Sequence, residues 1–249
     1  MDHVAFAHGA ITALVAAIGE VERSTGVPPV VVGGIAVLCR ARSAERATAD
    51  LDTASGARDA GVAVLEMLRA RSDATTVGPA GVELDTDFGR ARVDVIEVVS
   101  ADVARDLEVT DDRLHAMSHL WAIETSSPVE ITVMDRGTEV IRVEARVAEP
   151  GPLVAMKLQS VQDRGSAKEG TDLLDLVRLT LDSDAGVRVR VQLGRVDAMI
   201  ARDCAEFVNR VLLVNRALMA RKVHRAGGTD VTPEDIEDVA AILLDACDR

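Results

Sequence analysis

Arg46-Ala47-Thr48-Ala49-Asp50-Leu51-Asp52 is the stretch of this chain that decides its fold. Acidic and apolar residues alternate from Ala49 to Thr53, which predicts a β-strand. Since side chains two apart in a strand point to the same side, we expect Asp50 and Asp52 to present both carboxylates to one face, with Cα atoms roughly 7 Å apart. Two such carboxylates can hold one Mg²⁺ or share two. A solvated strand face is the competing interpretation, because Asp-x-Asp also arises by chance in acidic chains.

A short apolar run precedes this stretch and ends in a double glycine. Pro29-Val30-Val31-Val32 predicts a buried strand, Gly33-Gly34 a turn, and Ile35 to Arg42 a helix. At such a turn the backbone can approach phosphate oxygens, and the helix N-terminus offers free N–H groups. A tight turn that only needs positive φ would explain the glycines equally well. The sequence has neither a Walker-type phosphate loop nor a Gly-x-Gly-x-x-Gly run, so it does not support P-loop or Rossmann binding.

A third acidic residue lies in a later strand. Arg90 to Val98 is rich in β-branched residues and predicts a strand that carries Asp94 among valines. A lone carboxylate in such apolar surroundings is costly to bury unless it is paired or bound to a metal. Asp94 is therefore a candidate third ligand, whereas Glu97 is expected on the opposite face of the strand.

These features together resemble a known superfamily. The double glycine, the short helix, the Asp50-x-Asp52 strand and the later strand with Asp94 are similar to the signature of polymerase-beta-type nucleotidyltransferases. The form Arg46-x-Thr48-x-Asp50-x-Asp52 is similar to the AbiEii-type branch, which includes toxins of bacterial toxin–antitoxin and phage-defence systems.

The second half of the chain carries a further resemblance to that branch. Segments 153–164 and 168–176 of this chain resemble two patterns of the AbiEii-type branch, Lys-x-x-Ala-x-x-x-Arg and Lys-Asp-x-x-Asp-Leu. Two residues depart from the pattern: Ser160 stands where alanine is commoner, and Glu169 replaces the usual aspartate. The motifs cover about three-fifths of the chain, from Val30 to Leu176.

The resemblance implies roles for individual residues. Mg²⁺ or Mn²⁺ would be bound by Asp50, Asp52 and Asp94, and Lys157 and Asp172 would join them as catalytic residues. The NTP would be contacted by Gly33, Gly34, Arg46, Thr48, Lys157, Arg164 and Lys168. Simpler interpretations stand beside these roles. Lys157 could be a solvated helix lysine, Lys168 and Asp172 an ordinary i,i+4 ion pair, and Arg46 a structural residue.

The remaining patterns predict an α+β protein with a helical C-terminal domain, and the resemblance implies that its first part is a mixed-sheet nucleotidyltransferase fold. Hairpins are expected at 77–87 and at 129–147, around Asp135-Arg136-Gly137. Helices are expected at 3–24, 59–71 and 102–124, and helical periodicity dominates after Glu149, with 187–191 ambiguous. A boundary near 148–152 divides the chain into a nucleotidyltransferase α/β domain, 1–148, and a mainly helical domain, 149–249.

Composition limits the classes of partner. A net charge of −13 argues against a protein that binds nucleic acid over a wide surface. A late helix nevertheless carries a series of basic residues, namely Arg210, Arg216, Arg221, Lys222, His224 and Arg225.

Three scattered cysteines suggest a reducing cytoplasm with no disulfide frame, and the N-terminal segment resembles neither a signal peptide nor a membrane span. His115 and His119 have helical metal-ligand spacing but no evident third ligand, and Trp121 is expected in the core.

The sequence therefore predicts an enzyme that moves an NMP from an NTP to an acceptor hydroxyl. By resemblance the acceptor is a tRNA 3′ end, and the protein is a toxin with a cognate antitoxin. Because the chain is acidic, a protein or small-molecule acceptor is the second enzymatic interpretation. A non-catalytic nucleotide-binding or antitoxin-like module is the alternative from another class.

Overall fold

A computed structural model of the chain describes residues 1–41, 47–56, 63–163 and 166–249. It is an α+β structure in which the chain forms two compact units. The first unit contains Met1–Cys39, Glu45–Ala101 and Leu120–Glu149, and the second contains Arg40–Ala44, Asp102–His119 and Pro150–Arg249. One division between the units thus falls at Glu149 and Pro150, while the segment 102–119 groups with the second unit.

The first unit is built on a mixed sheet. In the described part of the chain its strands are β1 (Asp2–Ala7), β2 (Val30–Val31), β3 (Leu51–Gly56), β4 (Thr75–Val77), β5 (Gly81–Thr86), β6 (Gly89–Val98), β7 (Ser127–Asp135) and β8 (Thr138–Val147). Their order across the sheet is β1-β7-β8-β2-β3-β6-β5-β4. The pairs β1–β7, β8–β2 and β3–β6 are parallel, and the other neighbours are antiparallel.

The helices of the described residues divide between the units. They are α1 (Ala10–Thr25), α2 (Gly33–Arg40), α3 (Val64–Arg69), α4 (Ala101–Arg105), α5 (Thr110–Thr125), α6 (Pro150–Asp163), α7 (Ser166–Leu181), α8 (Ala185–Leu193), α9 (Ala198–Val208), α10 (Arg216–Arg225) and α11 (Pro233–Cys247). A π-helical turn, Asn209–Leu213, continues α9. None of the helices in these ranges has both the length and the apolar character that a membrane span requires.

The N-terminal segment differs from the prediction. The expected helix from His3 to Ser24 begins only at Ala10, and the residues before it form strand β1. Val4 and Phe6 alternate with more exposed neighbours, which is the period of a strand, and β1 pairs in parallel with β7. The helical spacing of apolar residues therefore holds from Ile11 onward, and pairing with a distant strand decides the rest.

The core of the first unit lies between the sheet and α1. Leu14, Val15, Ile18 and Val21 of this helix are buried, and the helix packs against β3, β5, β6 and β8. Branched aliphatic residues and alanine fill this core, as the scarcity of aromatic residues requires. Trp121 is 9% exposed, which confirms its predicted place in the core.

Two tight hairpins follow the local sequence. β7 and β8 are joined by Arg136 and Gly137, whose φ values are 48° and 85°. Positive φ at both central residues is the geometry of the type I′ turns that match strand twist, so the hairpin prediction is confirmed. β4 and β5 form the second predicted hairpin.

The second unit is helical in its described part, and two expectations about it change. The ambiguous segment Val187–Val191 lies within helix α8. The single helix expected at 102–124 is two helices, α4 and α5, with a break before Thr110. Arg113 of α5 is fixed by a buried two-pronged ion pair, because its Nε and Nη2 donate to the Asp203 carboxylate at 2.7 and 2.8 Å.

Candidate metal centre

Parallel pairing of β3 and β6 brings the three acidic residues together. Asp52 and Asp94 are partners in the register of these strands, and Asp50 lies directly before β3. One carboxylate oxygen from each of Asp50, Asp52 and Asp94 lies within 4.8 Å of the others, and all three residues are partly buried. The convergence that the sequence predicted for these carboxylates is present in the structure.

The donor set fits a hard divalent cation. Mg²⁺ takes oxygen ligands at about 2.0–2.1 Å, so two ligands of one octahedral ion lie about 3–4 Å apart. Oxygens within 4.8 Å of one another are close to that spacing. One or two carboxylates, completed by water and substrate phosphates, are the ligands that Mg²⁺ prefers in nucleotide sites. Asp50 and Asp52 satisfy this preference, with Asp94 as the third candidate.

Gly33 allows the start of α2 to lie against this cluster. Its φ is 62°, and a β carbon placed on it would be 1.9 Å from Asp52 Oδ2. Both the backbone conformation and the space therefore require glycine at this position. The arrangement places the positive end of the α2 dipole beside a carboxylate. Gly34 is buried within the same helix.

A second glycine makes room for Asp94. Gly81 of β5 is the register partner of Asp94, and a β carbon on it would be 2.4 Å from Asp94 Oδ1 and 2.6 Å from the carbonyl oxygen of Val77. We did not predict this contact, because it depends on the register between β5 and β6. Any larger side chain at position 81 would displace the Asp94 carboxylate.

Arg92 is the charged residue of the site that the sequence analysis missed. Its Nε and Nη2 donate to the two oxygens of Asp94, both at 3.0 Å. The hydrogen bond to Asp94 raises the pKa of Arg92 against the opposing effect of burial, and the charges of Asp94, Asp50 and Asp52 raise it further. The available signal was the spacing, since Arg92 and Asp94 are two apart in one strand and share a face.

Other predicted phosphate-site residues are placed as follows. The Thr48 hydroxyl donates to the Asp50 carbonyl oxygen at 3.3 Å, which braces the backbone before β3. Lys168 is an exposed residue of α7. Arg46 and Arg164 lie outside the described residues. Glu97 points away from Asp94, as expected, and accepts a hydrogen bond from the Leu65 N–H at the start of α3.

Lys157 and Asp172 meet inside the second unit. Lys157 of α6 is buried, which makes the solvated-lysine interpretation wrong, and its Nζ lies 2.6 Å from Asp172 Oδ1 and 2.8 Å from Asp175 Oδ2. Burial alone would lower the pKa of Lys157, but the charges and hydrogen bonds of Asp175 and Asp172 raise it above its usual value. Asp172 Oδ2 is buried and, among the described residues, accepts no hydrogen bond. Asp175, to which we assigned no role, therefore completes a buried triad of one cation and two carboxylates.

Neither the histidine pair nor the three cysteines form a second candidate metal or reactive site. His119 Nδ1 lies 2.6 Å from the His115 carbonyl oxygen, and in the described part of the chain no third ligand joins the two histidines. Cys39, Cys204 and Cys247 form no disulfide bond. Burial raises the pKa of Cys204 well above its usual value and that of Cys247 to about 11, so neither thiol is poised to react.

A cavity of about 240 Å³ lies elsewhere in the first unit. It is bordered mainly by apolar side chains of α1, β2 and β3, with the hydroxyl residues Thr25, Thr53 and Ser55. None of the three clustered aspartates lines it. Ligand pockets for drug-sized molecules usually measure about 300–1,000 Å³, so this cavity is small for a nucleoside triphosphate.

Comparison of the chain with protein-family models, with curated proteins and with solved structures finds no match. The resemblance to nucleotidyltransferases therefore rests on the residues of the chain and on how well their geometry suits that chemistry.

Proposed function

We propose that this protein is a Mg²⁺-dependent nucleotidyltransferase that moves an NMP from an NTP to an acceptor hydroxyl, with release of pyrophosphate. One observation carries the proposal. Carboxylate oxygens of Asp50, Asp52 and Asp94 converge within 4.8 Å, and the start of α2 at Gly33 lies against Asp52. A cation site and a helix N-terminus side by side suit a triphosphate and its metal ion.

Each residue of the proposed site has a role that follows from its position. Asp50 and Asp52 would hold the divalent ion, which would supply positive charge to the phosphates of the bound NTP. The α2 N-terminus would offer N–H donors to phosphate oxygens, and Asp94 would complete the metal-binding set and help to activate the acceptor hydroxyl. The rate enhancement comes from positioning and charge neutralisation, since phosphoryl chemistry requires little covalent participation by the protein.

Two acceptor classes follow from different observations. The family resemblance favours a tRNA 3′ end, which would make the protein a growth-inhibiting toxin with an antitoxin partner. The net charge of −13 favours a protein or small-molecule acceptor. The basic helix α10 strengthens that second class, because Arg216 and Lys222 already form ion pairs with Glu237 and Glu169.

Transfer of label from each α-labelled NTP, in the presence of Mg²⁺ and total RNA or cell extract, tests the activity. Asp50→Ala and Asp52→Ala are each expected to reduce transfer by at least about 100-fold, because each removes a metal ligand. Asp87→Ala is the matched control, since it removes an exposed carboxylate in the β5–β6 turn. Undiminished labelling in both site variants would refute the proposal.

The same assay separates the acceptors. Label that appears in RNA, together with growth arrest on expression, supports the tRNA toxin. Label that appears in protein or in a small molecule when RNA has been digested supports the second class. NTP binding without any transfer would leave the non-catalytic module as the function.

A further inference from the structure

Arg92 lies inside the candidate metal centre. Leu51 pairs with Val93 and Asp52 with Asp94, so Arg92 stands level with Asp50, one step before β3. Arg92 and Asp94 share a face of β6, and Nε and Nη2 of Arg92 donate to the two oxygens of the Asp94 carboxylate, both at 3.0 Å. The negative charges of Asp50 and Asp52 also act on this guanidinium and raise its pKa.

We propose that Arg92 sets how many divalent ions this centre holds, an inference that rests on the proposed metal site. Arg92 occupies both oxygens of Asp94, so of the three clustered carboxylates those of Asp50 and Asp52 are the ones that Arg92 does not hold. In a two-metal centre the ions lie about 3.5–4 Å apart and share carboxylates. While Arg92 occupies Asp94, Asp50 and Asp52 hold a single ion, and a second ion enters only when the guanidinium leaves Asp94.

The Arg92–Asp94 pair is suited to such an exchange. The side chain of Arg92 is 43% exposed and that of Asp94 is 19% exposed. Because the guanidinium is partly exposed, an incoming anion can contact it while it still holds Asp94. A planar guanidinium also binds phosphate with two hydrogen bonds. The triphosphate of an incoming NTP thus offers Arg92 a replacement partner at the moment when Asp94 becomes free.

Direct counting of bound ions tests this role without any activity measurement. Free Mn²⁺ is titrated by its electron paramagnetic resonance signal against the full chain and against Arg92→Gln, Arg92→Lys and Arg90→Gln. Arg90 is the matched control, because it lies two residues earlier on β6 and pairs with Glu83 and Asp85 instead of the centre. Circular dichroism confirms that each variant is folded.

The unaltered protein is expected to bind one Mn²⁺ in the absence of nucleotide. Arg92→Gln is expected to bind two, the first about tenfold more tightly, because a neighbouring positive charge has been removed. Arg90→Gln should keep one ion with an affinity within about twofold, and Arg92→Lys should lie between the extremes, because lysine keeps the charge but loses the fork.

The outcomes separate this inference from the function on which it rests. Two ions in the unaltered protein, or a single ion in Arg92→Gln at any affinity, would overturn the role of Arg92 and leave the metal centre standing. If no protein binds Mn²⁺ more tightly than Asp52→Asn does, the metal centre itself fails, and the proposed function fails with it.

Discussion

At Gly33 the backbone has a φ of 62°, and the carboxylate of Asp52 lies where a β carbon would be. Two separate requirements thus meet at one residue. The first is conformational, because residues with a side chain pay roughly 1–2 kcal/mol in the left-handed region. The second is spatial, because the neighbouring atom belongs to a candidate metal ligand. A substitution here should therefore affect both folding and metal binding.

Gly33→Ala is expected to destabilise the protein by about 1–3 kcal/mol more than Gly26→Ala does. Gly26 has a similar φ of 70°, but a β carbon on it would meet no other described residue within 4 Å. The difference between the two variants therefore isolates the contact with Asp52. Urea unfolding gives the stabilities, and Mn²⁺ titration should show weakened binding only in Gly33→Ala. Equal stabilities and equal Mn²⁺ affinities of the two variants would contradict the inference that Asp52 requires a glycine at position 33.

Asp73 and Arg71 illustrate how a single pair makes stability depend on pH. Arg71 donates to both oxygens of Asp73 and also to Glu20 and Ser24 of α1, which ties the end of α3 to that helix. The hydrogen bond from Arg71 lowers the pKa of Asp73 from 3.8 to about 2. Because the folded-state pKa is depressed, the stabilisation is present above the unfolded-state pKa and is lost as the pH falls through the folded-state value.

The stability difference between the unaltered protein and Asp73→Asn is accordingly expected to be constant above about pH 5, to shrink below about pH 4 and to vanish near about pH 2. Thermal unfolding at a series of pH values measures this difference. In an Arg71→Gln background the pH dependence of the same difference should become smaller, because only the backbone hydrogen bonds then lower the pKa of Asp73. A difference that grows as the pH falls would have the wrong sign for this mechanism.

Among the elements, the β7–β8 hairpin shows how local sequence shapes the sheet. Its two-residue turn places Arg136 at a φ of 48° and Gly137 at 85°. Glycine accepts this conformation without strain, whereas arginine adopts it at a cost. In this turn Gly137 is therefore unstrained, whereas Arg136 is strained.

Arg136→Asn is expected to stabilise the protein by about 0.5–1 kcal/mol, because asparagine tolerates positive φ better than arginine does. Gly137→Ala serves as the opposite control and should destabilise by about 1–2 kcal/mol. Chemical denaturation measures both changes. A loss of stability in Arg136→Asn would show that the arginine side chain contributes more than its backbone strain costs.

Structural features that depend on a few neighbouring residues were predictable from the sequence. The β-branched run before Gly33-Gly34 and the turn at Arg136-Gly137 are such features, since each reflects a local backbone requirement. Strand β1 was mispredicted as helix, because Val4 and Phe6 are ordered by β7, a strand far along the chain. Non-local pairing overrides local propensity in sheets.

The same distinction applies to the candidate site. The spacing of Asp50 and Asp52 predicted that both carboxylates face one side, and the double glycine, Asp94 and the family resemblance singled the pair out as metal ligands. The roles of Gly81 and Arg92 depend on strand register, which the spacing of apolar residues in a single strand does not reveal. The buried contact of Lys157 with Asp175 depends on how α6 packs against α7, so the sequence pattern suggested a motif but not an ion triad.

For the molecule as a whole, charge is the dominant physical property. With a net charge of −13, the protein repels nucleic acid except where basic side chains cluster. Arg216 and Lys222 of α10 are already neutralised by carboxylates, which reduces the free positive charge of that helix. An RNA acceptor would therefore be held through few phosphates, mainly at the site of reaction.

The salt dependence of RNA binding measures that number. Each phosphate contact to single-stranded RNA adds about −0.7 to the slope of log K against log salt concentration. We expect two or three contacts and therefore a slope no steeper than about −2, measured by fluorescence anisotropy with labelled tRNA between about 50 and 200 mM salt. A slope of about −4 or steeper would reveal an extended basic surface and contradict this expectation. Absence of binding at low salt would favour the protein or small-molecule acceptor.

Trp121 gives these experiments an optical reporter. The chain contains one tryptophan and no tyrosine, so the ultraviolet emission of the protein arises from a single buried indole in the first unit. Fluorescence melting curves consequently follow the surroundings of Trp121, whereas far-ultraviolet dichroism follows the helices of both units. Coincident curves would mean that the two units melt as one cooperative system, and separated curves would mean that each has a transition of its own.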